Sequence, residues 1–589
     1  MVGWFNPIPL FQTAIRVLMS TIFGEFADKR EALAAANPIA DDALDPSFDY
    51  DRRHPDGDFW FDFVADLGDG WNSTFAIARL LGEDSLAFEG SGALPRGSLL
   101  IMGGDEVYPT PSADQYYDRL IFPYSEAYGD RWPEDRAPDL YAVPGNHDWY
   151  DGLRAFFYLF CRRTIKAPGR AGVNRRGKVI GGRQTQQTRS YFALRLPKGW
   201  WLWGTDSQIE GYIDQPQIDF FQFVAETWMA PKSKLIISAG TPDWEYVDPR
   251  DPEKKYGTLS YLARLAPSVR GKGHELKLLL SGDSHHYARY HEKDLNFITC
   301  GGGGAFLHPT HNLRAHKHFP FPFPAPGQAY DKAQKLYPRA VDLATIDNDP
   351  SSDEALFPSR SQSRRLAWGL PFFALRNLDF TTVLAILYLF FTWALYANGP
   401  TWALLMPGKA LPAILSKGSL LDAELAFWML VISSPATVVL CGLGLAAYYY
   451  FADATGRVRL AMGTVHAIIQ AIAASLVTCV VLRLMAPLFP GPVGTFFCLL
   501  VGAFAAALTT GTLMGLYLWL CLNTWGRHWG HFSALSIESH KSFLRLHIGA
   551  DGTLRVFAIG LPKVPNDRRR RSGEPDTLHP ELIETIVIP

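Results

Sequence analysis

Cysteine is scarce in this sequence. Of six in 589 residues, Cys441, Cys479, Cys498 and Cys521 fall inside long apolar stretches, and only Cys161 and Cys300 lie elsewhere. No CxxC pair and no spaced cysteine framework occurs, which excludes a disulfide-stapled fold and a thiolate zinc site. An excess of charge is lacking too: 56 Lys and Arg against 58 Asp and Glu leave −2. That balance makes no broad electrostatic claim on nucleic acid, and none is expected as a partner. The N-terminal apolar stripe is not followed by a small-residue cleavage site, so a signal peptide is not expected. The four glycines of FITCGGGG, Phe297 to Gly304, lead into no helix with a Lys-Ser/Thr pair, which excludes a P-loop; such a run lets backbone pass close to a ligand or another strand.

Charge is almost absent from residues 379–523. Four membrane spans are expected there, at about Phe380 to Ala397, Leu425 to Phe451, Ala461 to Leu482 and Val493 to Leu522, each near the roughly 20 residues a bilayer requires. Pro435 is a kinking position inside the second. His466 and Gln470 share a helix face and are expected to bond across helices, and Gly511 with Gly515 forms a GxxxG packing pair. No paired acidic residues lie deep in the spans, which argues against a transporter. Arg364, Arg365 and Arg376 precede the first span, Arg457 and Arg459 separate the second from the third, and Arg527 follows the fourth; the opposite loops hold Lys409 and Lys417, with Arg483 at a span end. The asymmetry predicts an integral protein of the inner or plasma membrane with its soluble parts and C terminus in the cytoplasm.

What the soluble part does have is a set of hydrophobic runs that end in Gly, Asp, Asn or His. LYAVPGNHDWY, Leu140 to Tyr150, places backbone freedom beside an amide, an imidazole and a carboxylate, as in an active-site loop at a strand end. FDFVADLGDG delivers Asp66 and Asp69, LLIMGGDEVY delivers Asp105, and KLLLSGDSHHYARY delivers Asp283, His285 and His286. Hard oxygen donors mixed with imidazole suit Mn, Fe, Zn or Mg better than a soft ion. WWLWGTD reads as a further strand ending on Asp206, with Gln208 just beyond, either lining the pocket or stabilising a turn. His308 and His311 of LHPTH are spare imidazoles.

These motifs resemble the calcineurin-like metallophosphoesterases, whose pattern is D-x-H, GD, GNH[D/E], a lone His after a strand, and GHxH. Asp66 matches the first Asp, Gly104 and Asp105 match GD, Gly145 to Asp148 match GNHD, and His285 matches the last His, over about residues 55 to 312. Three imidazoles of the pattern are missing: Gly68 stands where the first motif has His, KLIISAGTPDW offers none, and Asp283 replaces another. The resemblance implies divalent metals, two in the family, with Mn or Mg favoured here and Fe or Zn as alternatives. It implies Asp105 as the bridging ligand, Asp66, Asp69 and His285 around the first ion, and Asn146 and Asp283 around the second. His147 would stabilise or protonate the leaving oxygen, with Asp148 orienting its ring.

The expected fold is α/β, a two-sheet metallophosphoesterase sandwich with four transmembrane helices and a small C-terminal β unit. Residues 1–50 form an amphipathic helix and lead-in, its stripe resting on a membrane surface or another helix. Residues 51–318 form the metallophosphoesterase domain, 319–376 a Pro-rich and polar linker, and 377–525 the spans. Residues 526–589 carry a hairpin around Ala550-Asp551-Gly552 and the basic run Arg568 to Arg571. The expected activity is hydrolysis of a phosphate ester by metal-activated water, on a phosphorylated small molecule or a lipid or lipid-linked substrate at the bilayer. The alternative is a catalytically degenerate membrane receptor or scaffold that binds a nucleotide or lipid phosphate. Oligomeric state is not legible.

Overall fold

The computed structural model describes residues 1–27, 30, 31, 34, 44–56, 58–128, 138–163, 177–207, 213–246, 252–320, 338–397, 419–565 and 577–589. The run Arg568 to Arg571, Gln208, Lys409 and Lys417 lie outside them. The chain divides into two compact units, one of residues 1–2, 12–363 and 536–589, the other of residues 3–11 and 364–535.

In the first unit, helix α1 (Pro7–Ala27), of which residues 12–27 belong here, precedes strand β1 (Phe59–Val64), helix α2 (Trp71–Gly82), β2 (Leu99–Met102) and β3 (Asp139–Ala142). β1, β2 and β3 run parallel, with Asp62 opposite Leu100 and Leu100 opposite Leu140. Their side chains are apolar almost without alternation because both faces of the sheet are covered. Strands β4 (Trp200–Gly204), β5 (Lys234–Ala239), β6 (Glu275–Ser281) and β7 (Leu295–Cys300) form the parallel centre of a second sheet. Phe61, Phe63, Ile101 and Tyr141 of the first sheet pack with Trp200, Leu202, Ile236, Leu280 and Ile298 of the second in one buried cluster, which makes the expected two-layer sandwich.

The C-terminal residues complete this sandwich. β8 (Lys541–Ile548) pairs antiparallel with β1, β9 (Leu554–Leu561) with β8, and β10 (Glu581–Ile588) with β9. The expected hairpin is present, with Ile548 opposite Leu554 and Gly552 at φ 77°. It continues the first sheet, giving the order β10-β9-β8-β1-β2-β3 followed by two short strands. Two buried ion pairs fasten it: Arg545 Nε donates to Asp62 of β1 at 2.8 Å, and Arg289 Nη2 donates to Glu584 of β10 at 2.6 Å, with the Tyr287 hydroxyl on the same carboxylate at 2.6 Å. The stretch read as linker also enters the fold: Pro338–Leu343 and Leu356–Phe357 pair with Tyr287–Glu292 at the edge of the second sheet. Arg360 donates to the carbonyls of His311 and Leu313 there.

The second unit is helical. α3 (Leu378–Ala397), α6 (Gly456–Met485) and α7 (Gly491–Trp525) are each long and apolar enough to cross a membrane. The span expected over Leu425 to Phe451 is instead two helices, α4 (Leu420–Ser433) and α5 (Pro435–Phe451), bent by 100°. Pro435 is the cause, since it lacks the N–H that would continue α4 and its ring crowds the preceding turn. A Cβ at Gly515 would stand 2.0 Å from the Leu370 carbonyl and one at Gly511 2.9 Å from Ala374, so the GxxxG pair admits a close neighbour. His466 and Gln470 bond each other along α6 at 2.9 Å, where a bond across helices was expected, and the His466 ring lies on Tyr517 of α7. Asn6, just before α1, donates to Asp379 at the entry of α3 at 2.9 Å.

Candidate active site

Four chain crossings at the C-terminal ends of β1, β2, β3 and β6 build the site. Each strand breaks off where the backbone turns sharply, and Asp66, Asp105 and Asp283 all occupy the left-handed region, at φ 61°, 53° and 61°. Non-glycine residues hold that conformation at a cost of about 1–3 kcal/mol each, so the surrounding contacts must enforce it. They do: the Asp66 amide donates to Gly104 O at 2.9 Å, the Leu67 amide to Asp105 O at 2.8 Å, and the Asp283 amide to Asp66 Oδ2 at 2.9 Å. The His147 amide donates to Asp105 Oδ1 at 2.8 Å, and a Cβ at Gly145 would stand 2.0 Å from that oxygen. The four glycines after β7 are a close-approach device of the same kind. Cβ atoms there would meet Asp66 Oδ2, Ser542, the Ala65 carbonyl and Thr74 at 2.2–2.5 Å.

At the centre lies Tyr108. Its hydroxyl is 2.7 Å from Asp66 Oδ1, 3.2 Å from Asp105 Oδ2 and 2.9 Å from His285 Nε2. His285 Nδ1 sits 2.7 Å from the Phe306 carbonyl, to which it donates, so Nε2 presents a lone pair. Three acceptors thus surround one hydroxyl proton. Burial, with the neighbouring Asp148 adding to it, pushes the Asp66 carboxyl up to about 8; burial followed by the charges of Asp66, Asp148 and Asp283 pushes Asp105 well up; and burial pushes Asp283 up to about 6. Loss of hydration holds His285 down at about 4.

Asn146 and Asp283 adjoin this centre. Asn146 donates Nδ2 to the Tyr150 hydroxyl at 3.0 Å, while its buried Oδ1 has no hydrogen-bond partner. Asp283 Oδ2 accepts from the Tyr246 hydroxyl at 2.7 Å. Tyr246 comes from the loop after β5, where the family pattern has its lone His.

Among the described residues no group of three or more His, Cys, Asp and Glu side chains is gathered closely enough to hold an ion unaided. The donor chemistry nevertheless fits a hard cation, since Tyr108 adds an oxygen to Asp66, Asp105 and His285, and a cation would relieve both the crowding of acceptors and the bare Asn146 oxygen. Sequence reasoning missed Tyr108; its signal is a phenol three residues after Asp105 in the same loop.

Two of the expected site residues hold loops in place. Each oxygen of Asp69 accepts from a backbone amide, Val2 N and Phe306 N, both at 2.9 Å, so this side chain fastens loops. Asp148 does not orient the His147 ring: it accepts from the Gly145 and Glu106 amides at 2.9 and 3.3 Å and from the Tyr116 hydroxyl. The ring is set by the Pro109 carbonyl, 2.8 Å from Nδ1. With Nδ1–H so engaged and its pKa lowered to about 4 by desolvation, His147 is a neutral imidazole with Nε2 as the nitrogen for proton exchange.

The spare histidines serve as supports. His308 stacks on His285 at 4.0 Å and accepts from its amide at 3.1 Å, and His311 bonds Ser363 at 2.7 Å. Asp206 accepts from Trp149 Nε1 at 3.0 Å and lies 3.7 Å from buried Arg30.

A family model for calcineurin-like phosphoesterases matches residues 59–287. No curated protein matches the chain. Among solved structures, "GAP50 the anchor in the inner membrane complex of Plasmodium" is 12% identical, with 43% of this chain and 74% of that one covered and a TM-score of 0.30. "Structure of PhoD" is 10% identical, with 42% and 58% covered and a TM-score of 0.27. Both likenesses are slight. The family match covers less than half of the chain, and residues 59–287 are what is similar to the calcineurin-like phosphoesterases.

Proposed function

We propose that the protein is a membrane-anchored, metal-dependent phosphoesterase. The observation that carries this reading is the meeting of Asp66, Asp105, Tyr108 and His285 around a single hydroxyl proton, with Asn146 Oδ1 bare beside them. Asp66, Asp105, Tyr108 and His285 would hold one ion, and Asp105, Asn146 and Asp283 a second, Mn or Mg by the hardness of the donors. Such ions, when bound, lower the pKa of water and neutralise phosphate charge. The residues of the chain do the rest. His147 Nε2 accepts a proton as an anionic ester arrives, because the ester's charge raises the imidazole pKa, and gives it to the leaving oxygen as the phosphorus–oxygen bond breaks. The Pro109 carbonyl keeps the ring in the tautomer this requires.

Topology supports anchoring on one side. β1 and β8 are neighbours in one sheet, although the candidate spans separate them in sequence. An even number of crossings is compatible with that pairing, and this reading counts the bent pair α4–α5 as one span beside α3, α6 and α7. The arginines flanking the spans favour the cytoplasmic side for the domain and the C terminus.

The missing imidazoles favour one other reading, a membrane receptor or scaffold that binds a phosphate ligand without turning it over. Detergent-purified protein with added Mn, given an aryl phosphate monoester and diester, separates the two. Hydrolysis by the native chain, falling about 10²–10⁴-fold in His147→Ala and lost in Asp105→Asn, is the expected result. No turnover of either ester, with no metal retained by elemental analysis, would establish the binder.

A further inference from the structure

Residues 12–27 of α1 carry two unlike faces. Arg16 and Ser20, one turn apart, rest on the two loops that hold His147: Arg16 Nη1 donates to Thr110 Oγ1 at 2.5 Å, and Ser20 Oγ donates to the Trp149 carbonyl at 3.4 Å. Thr110 follows Pro109, whose carbonyl sets the His147 ring, and Trp149 lies two residues beyond His147. Ile15, Leu18, Met19 and Ile22 fall at the i, i+3, i+4, i+7 spacing of a single stripe and are between 46% and 58% exposed. A helix that served only to close the domain would turn that stripe inward.

A second apolar patch adjoins the Asp66–Gly70 loop of the site. Trp71, immediately after the Asp66–Gly70 loop, stacks on Phe75 at 5.0 Å and meets Phe122 at 6.1 Å, and exposed Tyr117 stacks on Phe122 at 6.5 Å. Arg119 ties this patch to the site through the Asp69 carbonyl at 2.9 Å. Surface Trp and Tyr, and an aliphatic helix face, are each what a membrane–water interface selects.

We infer that α1 and the Trp71–Phe122 patch seat the mouth of the active site on the lipid bilayer, and that the substrate is a lipid whose phosphate monoester or diester enters from the headgroup layer. The inference rests on the phosphoesterase reading for the substrate, but not for the docking. The bilayer is the occupant because the chain brings one with it. The first unit's long segment runs to Ser363 and α3 begins at Leu378, a tether short enough to keep lipid at high effective concentration.

The test uses the full chain in phosphatidylcholine nanodiscs doped with phosphatidate. An environment-sensitive fluorophore on Leu18→Cys should emit as in an apolar medium and be quenched by doxyl-labelled lipid. Ile15→Glu combined with Leu18→Glu should lower phosphatidate turnover about tenfold or more, while turnover of a soluble aryl phosphate stays within about twofold. A fluorophore in water, or one shielded but unquenched by lipid and so covered by protein, overturns the docking. Equal loss of both esters in the double variant overturns it as well, by making α1 a structural support. If the native chain hydrolyses neither ester, the phosphoesterase reading and the lipid substrate fall together, while lipid quenching still decides the docking.

Discussion

At the scale of single residues, the site turns on groups that are buried before they are charged. Asp66, Asp105 and Asp283 each sit at positive φ, the first two with almost no solvent, a geometry that draws acceptors together and leaves their charge to be answered. Tyr108 answers part of it with one proton. Tyr108→Phe removes that donor and the oxygen proposed to hold an ion, while keeping the ring that packs 4.3 Å from His147. The expected outcome is metal affinity about 10–100-fold weaker, on the scale of a lost supporting contact, measured by competition against a chelator, with an unchanged circular-dichroism spectrum. Undiminished affinity would remove Tyr108 from the donor set. Asp66, Asp105, Asn146, Asp283 and His285 were all legible as strand-end residues, because a buried strand followed by Gly and Asp is a local pattern. The duties of Asp69, Asp148 and Tyr108 were not, because each is set by what another segment brings: Phe306 to Asp69, Tyr116 to Asp148, and His285 to Tyr108.

At the scale of elements, the strands after the spans are the least expected feature. β8 and β9 read in sequence as a small unit of their own, with the alternation and turn of a hairpin, and β10 is not read there at all. With β10 they are three of the eight strands of the first sheet, because β8 finds its partner in β1. Arg289 and Glu584 show the energetic consequence, both fully buried and bonded to each other only if β10 is in place. Glu584→Ala leaves the guanidinium, still bonded to Asn296, Asn348 and the Thr345 carbonyl, without its counter-charge and the Tyr287 hydroxyl without its acceptor, and a broken buried pair costs about 3–5 kcal/mol. Urea unfolding of the domain should shift by that amount. A shift below about 1 kcal/mol would mean that water replaces the carboxylate. Replacing both partners together, as Arg289→Met with Glu584→Leu, should recover most of the loss.

At the scale of the whole molecule, strand pairing constrains membrane topology. Residues 351 and 551 belong to one compact unit although every candidate span lies between them. Single cysteines placed at exposed Ser351 and Asp551 should therefore react with an impermeant maleimide from the same face of sealed vesicles. Labelling from opposite faces would require an odd number of crossings and would break the pairing of β1 with β8.

The sequence by itself determined what depends on neighbours along the chain: parallel strands rich in Phe, Leu and Ile, the order of the ligand-bearing strand ends, the apolar helices and the kink at Pro435. These are legible because period, length and turn chemistry act over a few residues. Tertiary structure alone decided that Tyr108 stands among the donors, that Asp148 braces a loop instead of a ring, and that residues beyond 540 complete the sheet begun at Phe59. The physical reason is that hydrogen-bond partners and strand neighbours are chosen by the fold from segments far apart in sequence, and no local pattern records which buried acceptor meets which donor.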